Sequence, residues 1–151
     1  FHKKHPEYIL EIFGKGSLQS ELENLVHSLD MDDSIKFMGF SSDALLHIRT
    51  ASAFVMSSKF EGLSNSMLES LCMGVPTICT KCGGGGAEAV IRNGVNGILV
   101  DIDDDLAESD AFNKIVEDRS YSNHLSNNAL MLRQSLSLET IGNEWANLLF
   151  K

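Results

Sequence analysis

Basic charge is scarce in this chain: 12 lysines and arginines stand against 21 aspartates and glutamates, a formal charge of −9 over 151 residues. That deficit argues against nonspecific nucleic-acid binding and against an electrostatic hold on anionic lipid. Cysteine is scarce too. Three residues, an odd number without a signal peptide, point to a reducing, cytoplasmic compartment. Cys79-Thr80-Lys81-Cys82 has the spacing of a metal or redox pair, but zinc needs a second pair or nearby histidines, and only Cys72 remains. Redox use would place the first cysteine at a helix start, whereas Cys79 lies inside a strand pattern, so a structural role is expected. His2, His5, His27, His47 and His124 have no ligand spacing, and no metal site is expected. A Ser-His-Asp pattern and an apolar run long enough to span a membrane are both missing.

What is present is 43% apolar composition and strand-helix alternation, which indicate one soluble α/β domain with a real core. Strands are expected near 8–13, 35–38, 53–57, 77–80 and 97–100. Helices are expected near Ser17–Leu29, from Ser64 to the stop at Gly74, and over Asp105–Glu117, Tyr121–Gln134 and Leu138–Leu149. The last carries an apolar stripe of Leu138, Ile141, Trp145, Leu148 and Leu149, the pattern of core packing. Asp101, Asp103, Asp104, Asp105, Glu108 and Asp110 form an acidic cluster. It lacks the glycine and terminal glutamate of a calcium loop and reads as a solvated lead into a helix.

The centre of the chain carries the chemistry. Ala53-Phe54-Val55-Met56 reads as a buried parallel strand, so Glu61-Gly62 falls in the loop past its carboxyl end. From Ser64 the pattern turns helical, with Met67, Leu68, Leu71 and Cys72 at spacings of three and four and Ser64 or Asn65 as N-cap. Gly74 stops the helix, and Pro76 leads into the next strand. This layout places ligands at the carboxyl edge of a sheet, with free amides around Ser64 to Met67 facing any anion held there. Gly83-Gly84-Gly85-Gly86 follows the strand at 77–80, where bare backbone can approach a phosphate or sugar and form an anion nest. Taken singly, Glu61 reads as a dipole-complementing carboxylate and Glu69 as part of a solvated helix face.

The combined register, E-G-L-S-N-x3-E-x4-G-x-P over 61–76, followed by G-G-x-x-E ending at Glu88 and by Asn96-Gly97 ahead of Ile98-Leu99-Val100, resembles the E-x7-E region of retaining glycosyltransferases of family 4. That region belongs to the C-terminal half of a GT-B enzyme, a Rossmann-like parallel sheet flanked by helices. The resemblance implies that Glu61 approaches the donor sugar as the catalytic-site carboxylate and that Glu69 accepts hydrogen bonds from the ribose hydroxyls. The amides of Gly62, Leu63, Ser64, Asn65 and Ser66 would line the sugar-phosphate, with Gly83 and Gly84 beside them. The family carries one or two glycines where this chain has four.

A second glycine motif, Gly14-Lys15-Gly16, follows the strand at 8–13. It lacks the third glycine of a dinucleotide fingerprint, where Gln19 stands, and no acidic residue closes the strand ending at Gly39. The resemblance instead makes Gly14 part of a tight turn, with Gly39-Phe40 presenting backbone groups to the nucleotide base. Lys15 reads as a solvated loop cation.

The resemblance spans almost the whole chain. It implies a nucleoside-diphosphate sugar as substrate with no cofactor or metal, and a location that is cytoplasmic or peripheral to a membrane. Polysaccharide or glycolipid assembly is the expected setting. It also implies that an N-terminal acceptor-binding domain, the first strand of this domain and an upstream arginine-lysine pair are missing, so the isolated chain is expected to be inactive. Without that strand, the remaining five are expected to close into the order 2-1-3-4-5, or to recruit a strand from a second copy as a dimer. Part of the final helix's stripe should be exposed for want of its partner domain. Two rivals remain. A flavodoxin-like signalling module would need acidic residues where Phe13-Gly14 and Ser57-Ser58 stand, and a GT-B epimerase would share the fold without a foreign acceptor.

Overall fold

The structure is a computed structural model that describes residues 1–150. The chain divides into two units, Phe1–His47 and the stretch from Ile48 onward. In the first, β1 (Leu10–Phe13) lies parallel to β2 (Ile35–Gly39), with Leu10 beside Ile35 and Ile12 beside Phe37. The register slips before Phe13, which pairs with Gly39. The crossover helix α1 (Gln19–Ser28) is shorter at both ends than the expected Ser17–Leu29 and buries only Val26. α2 (Ala44–Thr50) leads out of this unit.

The second unit is built on β3 (Phe54–Met56), β4 (Thr77–Thr80) and β5 (Ile98–Val100), all parallel in the order β3-β4-β5. The central strand β4 is buried along its whole length, as a strand covered on both faces should be. Its side chains alternate between two cores. Cys79 joins Met67, Leu71, Ala87, Ile91 and Ala129, while Ile78 joins Ile98, Val100, Ala111, Ile115 and Leu125. The first core is roofed by α3 (Asn65–Met73) and α4 (Gly86–Val90), the second by α5 (Asp105–Glu117), and α6 (Arg119–Leu130) contributes to both. α3 ends where Gly74 takes a left-handed φ of 74°, the conformation an αL cap requires. Arg133 Nε donates to the carbonyl of Cys72 at 2.5 Å, satisfying one of the acceptors left at that helix end.

Within the first unit the strands pair as β1-β2, and within the second as β3-β4-β5. One expectation is corrected: Tyr121–Gln134 is not one helix. α6 ends at Leu130, and α7 (Leu132–Ser135) follows a break at Met131. The last helix, α8 (Leu138–Leu149), has the expected bounds, and its stripe of Leu138, Ile141, Trp145, Leu148 and Leu149 is exposed. Among the described residues no helix is long and apolar enough to cross a membrane.

Candidate functional site

The loops that leave the carboxyl ends of β3 and β4 are bound to each other beyond the strands themselves. Thr80 Oγ1 donates to the carbonyl of Ser58 at 2.5 Å, which fixes the start of the β3 loop. Phe60 and Gly83 then form a parallel bridge: Glu61 N donates to Gly83 O at 2.9 Å, and Gly83 N donates to Lys59 O at 3.4 Å. Glu61 is therefore held by its backbone, while its half-buried carboxylate has no hydrogen-bond or ion-pair partner among the described residues.

The glycine run makes this approach possible. A Cβ on Gly84 would collide with the carbonyl oxygen of Glu61, and one on Gly86 with that of Gly62. Gly84 also has φ +102°, a region that L side chains rarely adopt. The close backbone contact the sequence reserves for a ligand is thus used, at these two glycines, to seat the Glu61-Gly62 loop. Gly85 starts α4 in the left-handed region with open space around it.

Gly62 and Leu63 are exposed, and Ser64 occupies the N-cap of α3 with extended backbone. The serine does not cap in the expected way: its hydroxyl bonds to Ser66 Oγ at 3.0 Å rather than to a backbone amide. Because the first helical bond runs from Leu68 N to Ser64 O, the amides of Asn65, Ser66 and Met67 have no helical acceptor. They form a concentration of positive partial charge at the end of the loop that carries Glu61. Glu69 lies farther along α3, exposed and without a partner among the described residues. Glu61 through Ser66, Gly83 and Gly84 thus belong to one sheet edge of the second unit, with Glu69 farther along α3. Gly14 and Gly39 belong to the first unit, where Gly14 N donates to Gly39 O at 2.8 Å and Gly39 has φ 68°.

Ion pairs border these loops. Lys59 reaches Asp103 and Lys81 reaches Asp101, each at 2.9 Å. Both pairs are largely exposed and contribute about 0–1 kcal/mol each. Cys79 is the reverse of an activated thiol, since burial first and neighbouring Cys82 second push its pKa up to about 12. Asn96, read only as part of an Asn-Gly turn, is a buried strut: Oδ1 accepts from Arg92 N at 2.7 Å and Nδ2 donates to Val90 O at 3.1 Å. Sequence reading also passes over Thr80. A strand-end threonine gives no signal until its neighbouring loop is seen.

A separate concavity of about 580 Å³ lies on the same unit between the end of α4 and α6–α7, lined in part by Arg92, Val95, Asn128, Met131 and Leu132. None of residues 61–76 lines it, whereas Glu88 and Asn96 from the later part of the register do.

The family described as Glycosyl transferases group 1 matches residues 1–131. A lipopolysaccharide core biosynthesis glycosyltransferase, LpsE of Rhizobium meliloti, is 32% identical over 121 residues, covering 80% of this chain and 35% of its own length. An uncharacterized glycosyltransferase of Haemophilus influenzae is 24% identical over 147 residues, 97% of this chain and 41% of that protein. Among solved structures, Anabaena Alr3699/HepE in complex with UDP superposes with a TM-score of 0.88 at 23% identity, covering 95% of this chain and 41% of that one. At that identity the superposition speaks for the fold. The chain spans roughly two fifths of the length of these relatives.

Proposed function

This chain belongs to the glycosyl transferases group 1 family, and from that premise we propose that it forms the donor-binding part of a retaining glycosyltransferase that uses a nucleoside-diphosphate sugar. The observation that carries the reading is the pairing of a backbone-locked Glu61 with unpaired amides at the start of α3. A sugar diphosphate needs both: donors for its phosphate oxygens and a carboxylate for its sugar hydroxyls. In this reading the amides from Gly62 to Ser66 hold the phosphate next to the sugar, and they stabilise the charge that grows on it as the glycosidic bond breaks. Glu61 hydrogen-bonds the transferred sugar and fixes its orientation at the reacting carbon. Glu69 accepts from the ribose hydroxyls of the nucleotide. Gly83 and Gly84 hold the Glu61 loop in place and stand beside the donor's sugar-phosphate. No metal or other cofactor enters this reading.

Uridine diphosphate is the nucleotide to try first, because Alr3699/HepE was solved with UDP and with UDP-glucose. A growing polysaccharide or lipid-linked saccharide is the proposed acceptor, by analogy with relatives such as LpsE, and the cytoplasm or a cytoplasmic membrane face the proposed site of action. The test is a thermal-shift screen of the chain against nucleoside diphosphates and their sugars. A ligand that binds only the folded state raises the midpoint with concentration. A concentration-dependent rise for at least one nucleotide sugar is the expected result; a flat response across uridine, guanosine, adenosine and thymidine diphosphate sugars refutes the proposal.

A further inference from the structure

Phe60 is 78% exposed and Leu63 is 56% exposed, so two apolar side chains flank Glu61-Gly62. A single exposed apolar residue is ordinary on a protein surface. Phe60 differs because its surroundings are shaped to it. The backbone is fixed on both sides by the bridge to Gly83, whose two hydrogen bonds involve Lys59 O and Glu61 N. Its ring lies over Gly83: a Cβ there would fall 2.7 Å from Phe60 Cδ2 and 3.3 Å from Cε2. Any side chain at 83 would evict the ring from this position. The aromatic surface is therefore pre-positioned, open to solvent, and one residue from the carboxylate assigned to the sugar.

Resting on the donor-site reading above, we propose that Phe60 is a specificity-determining contact residue, a stacking platform for the C–H face of a pyranose ring. A pyranose presents polar hydroxyls around its rim and an apolar patch of C–H bonds on one face. A carboxylate beside an exposed aromatic ring lying over Gly83 matches both features, with Glu61 taking hydroxyls and Phe60 taking the C–H face. Pre-positioning matters because a ring carried on a backbone already fixed leaves only its own rotamer to order on contact. The pyranose is either the donor's own sugar or the terminal residue of the acceptor, and the two sources are separable by experiment.

The test compares the unaltered chain with Phe60→Leu and Phe60→Tyr, using calorimetric titration of UDP and UDP-glucose and saturation-transfer NMR with methyl α-D-glucopyranoside in the presence of UDP. Because the side chain is largely exposed, Phe60→Leu should fold; a matched thermal midpoint checks this. Phe60→Leu should leave UDP affinity unchanged and weaken UDP-glucose by roughly three- to tenfold if the platform serves the donor sugar. If it serves the acceptor, UDP-glucose is unaffected and the free glycoside signal is lost. Phe60→Tyr should restore the wild-type pattern in either case. Equal losses for UDP and UDP-glucose, or no change in any ligand, overturn the platform while leaving the donor-site reading standing. Failure of the unaltered chain to bind either nucleotide overturns both.

Discussion

The backbone of Gly84 packs directly on the carbonyl of Glu61, at a distance where residue 84 has no room for a Cβ. Gly84→Ala must therefore move the Glu61 loop as well as adopt a φ of +102°, and it should destabilise the chain by more than about 3 kcal/mol. Gly85→Ala is the matched control, since φ is +66° but nothing lies within 4 Å of the added methyl. It should cost about 1 kcal/mol. Urea denaturation of the two variants measures the difference; equal losses would contradict the packing assigned to Gly84.

Asn96 bridges the carbonyl of Val90 and the amide of Arg92 from a buried position. Asn96→Ala leaves both backbone groups without their partner and should cost about 1–3 kcal/mol. Replacement of neighbouring exposed Val95 by Thr should change stability by less than about 0.5 kcal/mol. A near-neutral Asn96→Ala would show that the strut is dispensable.

These two residues also show what a single sequence reveals. Asn96-Gly97 and the run at 83–86 were visible as turn and loop signals, because glycine and asparagine carry local backbone preferences. Their work is tertiary: Asn96 ties α4 to the following turn, and Gly84 and Gly86 admit another loop's backbone. The strand at 77–80 and the helices at 105–117 and 138–149 were legible to the residue, since each has a clear hydrophobic pattern. α2 (Ala44–Thr50) was not legible, and it buries no residue that would impose a helical period. The carboxylates at 61 and 69 were found through register, whereas Phe60 became notable only once its ring was seen over Gly83.

Glu108, in the first turn of α5, has its pKa raised by burial first and by nearby Asp105 second. An acid whose folded-state pKa lies above its unfolded value contributes stability below the unfolded pKa, and that contribution is lost as pH rises through the folded one. At neutral pH the charged carboxylate is therefore a liability. Glu108→Gln should raise the denaturation midpoint at pH 7 relative to the parent, and the advantage should vanish below the ordinary glutamate range of about 4.3. An advantage that persists unchanged in acid would point to packing rather than charge.

Glu69 and Glu61 should separate in their effects. Glu69→Ala should weaken donor binding by about 1–3 kcal/mol, the cost of losing hydrogen bonds to a charged group. In the complete enzyme, Glu61→Ala should instead lower kcat with a smaller change in nucleotide affinity, because its proposed contact is with the sugar being transferred. Unchanged nucleotide-sugar affinity in Glu69→Ala would remove the ribose assignment.

The central claim is that the edge formed by the Glu61 loop, the start of α3 and the glycine loop receives the donor. Titration of UDP-glucose into the isotopically labelled chain, followed by amide chemical shifts, reads that edge residue by residue. The account predicts saturable shifts centred on the amides of Gly62, Leu63, Ser64, Asn65 and Ser66, with Gly83 and Gly84 responding alongside them. Shifts confined to the concavity lined by Arg92, Val95, Asn128 and Leu132 would contradict it, as would no saturable shift at millimolar ligand, the weak limit of about 4 kcal/mol.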